Sequence, residues 1–274
     1  MKHKINPTVD CVFKAILGSE ENKNLLIHFL NAVLEPDSLI KKIVLNNPYN
    51  EREFVGDKLT VVDVKSTDEK KCHYQIEIQL ALHPAISARM LYTWSSMYHS
   101  QIKKGDDFRK LKPVISIWIL NESLFDKVDD CHLPFVLYNL KNKLVLSEDI
   151  EIHLLQLPKW QSQQIKTEKE RWIYLFKEGK NVDVDAPPEV LHTDEMRQAM
   201  EVLNRFSENQ EDYLLYQSRL DAILKENTLI NEMARVKREN EQVKMEKEQL
   251  QAKLDSLLLQ LKEKGMDDVV AKIS

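Results

Sequence analysis

Between Pro113 and Leu120 the chain reads Pro-Val-Ile-Ser-Ile-Trp-Ile-Leu, an almost unbroken apolar run rich in β-branched residues. Its length and composition read as a strand buried on both faces, the kind found inside α/β sheets. A helical pattern over residues 85–104 precedes it and stops at Gly105, so a helix crosses over to deliver that strand. Further upstream, Leu25, Leu26, Phe29, Leu30 and Val33 recur at helical spacing within 22–34, and Pro36 ends that helix. Strand-like runs follow at 39–45, 58–66 and 74–80. The order α-β-β-β-α-β predicts an α/β fold with a mixed sheet flanked by helices. Extended segments at 135–140, 143–146 and 150–157 and a helix over 161–178 complete a first domain of residues 1–180. The Asp- and Pro-containing stretch 179–188 reads as a linker to a helical region, 188–274.

Two of the predicted strands carry the chemistry. Side chains alternate faces along a strand. In the first, Leu59, Val61, Asp63 and Lys65 share one face. In the second, Tyr74, Ile76 and Ile78 form an apolar face, and His73, Gln75, Glu77 and Gln79 a polar one. A turn centred on Lys70 places Asp63 opposite Glu77, since both are seven residues away. Directly opposed Cβ atoms lie roughly 4.5–5.5 Å apart. Two carboxylates that close repel unless a cation sits between them, and Mg²⁺ is bound through one or two carboxylates, waters and phosphate. Mn²⁺ or Ca²⁺ accepts the same oxygen ligands. Such a metal polarises a phosphodiester and lowers the pKa of a bound water. Gln79 points the same way and can orient that water; Lys65 can stabilise developing negative charge. The plainer reading is a half-exposed hairpin with its polar face in water.

Composition narrows the function classes. The 274 residues contain only five glycines and neither a GxGxxG nor a GxxxxGK[ST] sequence, which argues against nucleotide-binding loops. Cys11, Cys72 and Cys131 are widely spaced and odd in number, so no disulfide framework or CxxC zinc cluster fits. They suit a reducing cytoplasm. No apolar stretch reads as a signal peptide or a membrane span. The net charge of −5 is not that of a passive nucleic-acid binder. An acidic metal cleft tolerates it, because the ion supplies the positive charge. Lys103, Lys104, Arg109, Lys110 and Lys112 form a local basic cluster, either a solvated helix end or a phosphate contact.

The stretches Asn6-Pro-Thr-Val-Asp-Cys-Val-Phe-Lys14, 26–34 (LIHFLNAVL), Val62-Asp-Val-Lys65, Ile76-Glu-Ile-Gln79, Arg89-Met-Leu-Tyr92 and 95–105 (SSMYHSQIKKG) occur in this order. Together they resemble the PD-(D/E)xK nuclease superfamily, and within it the Rpn family of recombination-promoting nucleases, also described as transposases. The resemblance implies a restriction-endonuclease-like core, DNA as substrate and a divalent metal held by Asp63 and Glu77. Gln79 stands where the superfamily usually has lysine, as the Rpn-like subfamily itself does. That leaves the phosphate-stabilising cation to Lys65 first and Arg89 second. Asp10 matches an N-terminal acid that completes the metal site in this superfamily; a helix N-cap or first-turn role is the alternative. Tyr98 and Gln101, three apart on the second helix, are candidate substrate contacts, with helix packing the other reading for Tyr98.

From Leu229 onward a heptad is legible: Leu229, Val236, Val243, Leu250 and Leu257 form one series, and Met233, Asn240, Lys247, Leu254 and Leu261 the other. It predicts a coiled coil over about 226–264 and a homodimer; a single helix folding back on its own domain is the alternative. The function expected is a Mg²⁺-dependent DNA endonuclease of recombination or transposition. The competing readings are a catalytically weakened DNA-binding or regulatory protein that keeps the fold, and a coiled-coil interaction protein on a scaffold domain.

Overall fold

A computed structural model describes residues 3–46, 63–161, 164–183 and 186–263. The predicted strand residues 58–62 lie outside the described residues. In chain order come α1 (Asp10–Leu17), α2 (Lys23–Leu34), β1 (Ile43–Leu45), β2 (Asp63–Asp68), β3 (His73–Gln79), α3 (Ile86–His99) and β4 (Val114–Leu120). There follow β5 (His132–Val136), β6 (Tyr138–Asn139), β7 (Leu144–Val145), β8 (Ile150–Gln156), α4 (Glu168–Glu178), α5 (Asp194–Glu208) and α6 (Gln210–Glu263).

Among the described residues the main sheet has the order β1-β2-β3-β4-β8-β5. The pairs β1–β2 and β2–β3 are antiparallel, β3–β4 and β4–β8 parallel, and β8–β5 antiparallel. The apolar strand β4 sits inside the sheet with Val114, Ile117, Trp118, Ile119 and Leu120 all buried, as its sequence requires.

Alternation divides the sheet into two differently covered faces. Val64, Tyr74, Ile76, Ile78, Ile117, Ile119 and Leu155 turn to one side and meet Phe13, Phe29, Trp172, Phe176, Leu203 and Phe206 from α1, α2, α4 and α5. Trp118, Leu120, Ile152 and Leu154 turn to the other and meet Ile86 and Met90 of α3. The second core is the smaller, and the polar face of the β2–β3 hairpin lies on its side of the sheet.

The elements differ from the sequence reading in several places, and three of the differences have a plain local reason. Helix α1 is not among the elements read from the sequence: it has only eight residues, two of them polar (Asp10 and Lys14), too short a run to display a sustained helical period. Helix α3 ends at His99 rather than at residue 104: both ends of the Gln101 amide bond the Lys112 backbone, and Asp106 accepts the Lys103 N–H, pulling the chain into a turn completed by Gly105 at φ +92°. Helix α4 starts at Glu168 rather than at 161 because Thr167 and Glu170 form a reciprocal capping box.

The first compact unit runs to Ile223, and a second comprises Leu224–Ser274. The first extends beyond residue 180 because Leu191, Met196, Ala199, Leu203, Phe206 and Tyr216 are buried in its larger core. In the second unit the described chain is the continuation of helix α6, with Leu229, Met233, Val236, Val243, Leu250 and Leu257 exposed. Among the described residues no helix is long and apolar enough to cross a membrane.

Candidate functional site

The β2–β3 turn fixes the site's register. Asp68 Oδ1 accepts the backbone N–H groups of Lys70 and Cys72, each at 2.8 Å, and Asp68 Oδ2 accepts the Tyr74 hydroxyl at 2.9 Å. Lys71 closes the turn at φ +70°. With both carboxylate oxygens occupied, the turn pins the pairing. Asp63 stands opposite Glu77 and Lys65 opposite Gln75. A one-residue slip would flip every side chain to the other face. The description of Asp63 stops at its backbone; its side chain lies outside the described residues.

Glu77 is only 2% exposed. Its Oε1 accepts the Gln79 side-chain amide at 2.7 Å and forms an ion pair with Arg89, while Oε2 accepts the Gln75 amide at 3.3 Å. Arg89 comes from the first turns of α3, with its side chain 39% exposed. A second guanidinium nitrogen lies 3.5 Å from Gln79 Oε1. The guanidinium carbon sits 5.8 Å from the centroid of the Trp118 ring, within cation–π range. Trp118 is the β4 residue in register with Glu77, and its indole N–H donates to Ser116 Oγ at 2.8 Å. An arginine on the helix and an acid on the strand thus meet over a tryptophan floor. Lys65 is half-buried on the same sheet face.

The remaining sequence candidates are placed elsewhere. Asp10, in the first turn of α1, is buried; Oδ2 takes Arg219 Nε of α6 at 2.7 Å and a second Arg219 nitrogen, and Oδ1 takes the Cys11 N–H at 2.8 Å. Both of its oxygens serve the fold. Tyr98 stacks on Trp94 at 5.1 Å and donates its hydroxyl to Asp149 at 3.0 Å. Gln101 clamps Lys112. These two tie the end of α3 to the strand ends beneath it.

Among the described residues no group of three His, Cys, Asp or Glu side chains could hold a metal. The donors around Glu77 are nevertheless hard oxygens, the type a divalent cation such as Mg²⁺ takes. The Gln75 side-chain oxygen, on the same face as Glu77, is buried without a hydrogen-bond partner among the described residues. A buried acceptor left unpaired is costly and invites a cation or its water. The residues present therefore fit a divalent metal. Gln75 and Trp118 were not among the sequence candidates. For Gln75 the signal was there, a third polar residue in strict alternation with Glu77 and Gln79. For Trp118 it lies in the parallel register with β3, which the sequence does not display.

No curated protein and no solved structure matches the chain. The hairpin acids, the crossover helix and the buried fourth strand stand in the order of a known nuclease core. The family model described as PD-(D/E)XK nuclease family transposase matches residues 7–233, and the chain belongs to that family.

Proposed function

We propose that this chain is a cytoplasmic, Mg²⁺-dependent DNA endonuclease acting in recombination or transposition, with Asp63 and Glu77 as the acids that hold the metal. The observation that supports it best is the direct opposition of Asp63 and Glu77 across β2–β3, with Glu77 buried beneath a helix-borne arginine. A divalent ion bound there, Mg²⁺ or in its stead Mn²⁺ or Ca²⁺, would supply positive charge to a scissile phosphate and a water of lowered pKa. The chain's own residues then orient and neutralise. Gln79 holds the Glu77 carboxylate and turns its own oxygen toward Arg89. Arg89 takes the part of the superfamily's strand lysine, presenting a planar fork suited to phosphate oxygens. Lys65 is the second cation on that face.

In the second unit, the exposed seam Leu229, Val236, Val243, Leu250 and Leu257 suits a two-stranded coiled coil and a homodimer, which would bring two cutting sites to one duplex. Light scattering that finds a monomer at all concentrations rejects this part.

Nicking of supercoiled plasmid in Mg²⁺ tests the main reading. The wild-type chain is expected to cleave, and Asp63→Ala and Glu77→Ala to lose roughly 10²–10³-fold or more in rate. Equal cleavage by these variants refutes the site. Duplex binding without cleavage in any metal favours the reading as a weakened regulatory protein.

A further inference from the structure

We infer that Arg89 is a placeholder cation, resting on Glu77 until a divalent metal takes that carboxylate and then turning to a DNA phosphate. The inference rests on the metal-nuclease reading above and assigns to it an order of binding.

Glu77 is 2% exposed and faces a second acid in direct register. A carboxylate buried to that depth needs a counter-charge. The Arg89 guanidinium is a counter-charge bonded directly to Glu77. Its position on the solvent side follows from exposure: the Arg89 side chain is 39% exposed and its partner 2%. A cation approaching Glu77 Oε1 from water meets the guanidinium first, so the two compete for one oxygen.

The surroundings allow Arg89 to move. Its further contacts are a 3.5 Å approach to Gln79 and the Trp118 ring at 5.8 Å. A cation–π contact is non-directional in the ring plane, so the guanidinium can stay over the indole while its donors turn. Of its five N–H donors, two nitrogens are engaged by side chains of β3, and the Nε–H has no acceptor among the described residues.

Binding of Mn²⁺ to the full-length, DNA-free protein tests this by calorimetry, with melting curves confirming that each variant is folded. Arg89→Gln removes the competing charge and is expected to bind Mn²⁺ about tenfold more tightly than wild type, the order set by one unit charge a few ångströms away at a half-exposed site. Arg89→Lys keeps the charge and stays within about threefold of wild type. A second measurement reads the other half of the motion. Duplex affinity is compared in EDTA and in Ca²⁺, with cleavage monitored in the same samples. Wild type gains affinity on adding Ca²⁺, and in Arg89→Gln that gain shrinks at least fivefold, because no guanidinium is released to the phosphate. Unchanged or weaker Mn²⁺ affinity in Arg89→Gln, where Glu77→Gln abolishes binding, overturns this inference alone. Mn²⁺ binding that Glu77→Gln leaves intact overturns the metal-site reading, and this inference with it.

Discussion

Asp10→Ala should destabilise the chain far more than a surface acid would, and it separates a structural role for this residue from a metal-binding one. Asp10 is 3% exposed and Arg219 8%. The pair joins the first turn of α1 to α6 across 209 positions of sequence. Removing the acid takes the Asp10 carboxylate from a buried guanidinium and also strips the Cys11 N–H of its acceptor. Breaking one side of a buried pair costs about 3–5 kcal/mol. That is a large part of the roughly 5–15 kcal/mol that holds a domain folded. For a unit of this size, it corresponds to a melting point lower by about 10 °C.

The assay is urea unfolding of the full chain, read as a lower midpoint at unchanged slope. Asp10→Asn keeps the Cys11 bond and should lose less, about 1.5–3 kcal/mol, the range for a hydrogen bond to a charged group. Its nicking rate per folded molecule should stay near wild type. A midpoint for Asp10→Ala within about 0.5 kcal/mol of wild type refutes the reasoning, since surface changes fall in that range. A stable Asp10→Asn that has lost Mg²⁺-dependent cleavage would return Asp10 to the metal site.

Other expected outcomes follow from single environments. Trp118→Ala removes a fully buried indole from the smaller core, together with its bond to Ser116 and the platform under Arg89; it should cost about 3–5 kcal/mol in urea unfolding. Burial, with His153 at 2.9 Å, pushes the pKa of His132 down to about 4. The unfolded chain binds that proton below about pH 6.5 and the folded chain resists it. Stability should therefore fall by roughly 1–2 kcal/mol between pH 7 and 5, and His132→Asn should flatten that part of the slope. Burial also raises the thiols, Cys72 to about 12, Cys131 to about 11 and Cys11 further still. Iodoacetamide at pH 8 should label Cys11 and Cys72 after unfolding and not before; rapid labelling of these two in the native chain would contradict their burial.

Strand β4 and the hairpin register were legible in the sequence because their causes are local. An apolar run and an alternation of period two are written residue by residue, and a turn centred on one position pairs what lies equally far on either side. Helix α1 was not, since eight residues with two polar positions are too few to establish a period. The partner of Asp10 was not legible either, lying 209 residues away. Tyr98 and Gln101 looked like substrate contacts because polar side chains on a helix beside a site usually invite that reading. Their polar groups are spent on Asp149 and on the Lys112 backbone instead. That Arg89 reaches Glu77 was not legible, whereas a lysine in the hairpin is visibly on the same face. The reach of an arginine across from α3 depends on how the crossover helix sits on the sheet, and no spacing along the chain encodes that.

That dependence gives Tyr98 and Gln101 a bearing on the site after all. A lysine two residues beyond a strand acid is held on the same face by the pleat itself. An arginine delivered from a helix is placed only as well as the helix is. Helix α3 is fastened to the strands below it by Trp94 to the Val114 carbonyl at 2.9 Å, by Tyr98 to Asp149 and, just past its end, by Gln101 to Lys112. Slippage of one residue along the axis moves the arginine by about 1.5 Å, half the length of a hydrogen bond, and turns it by about 100°. The Glu77 contact would not survive such a turn. On the proposed reading, exchanging lysine for arginine in this way would move the control of the phosphate-binding charge from the sheet to the packing of a helix, and Trp94, Tyr98 and Gln101 would position Arg89 without touching the substrate.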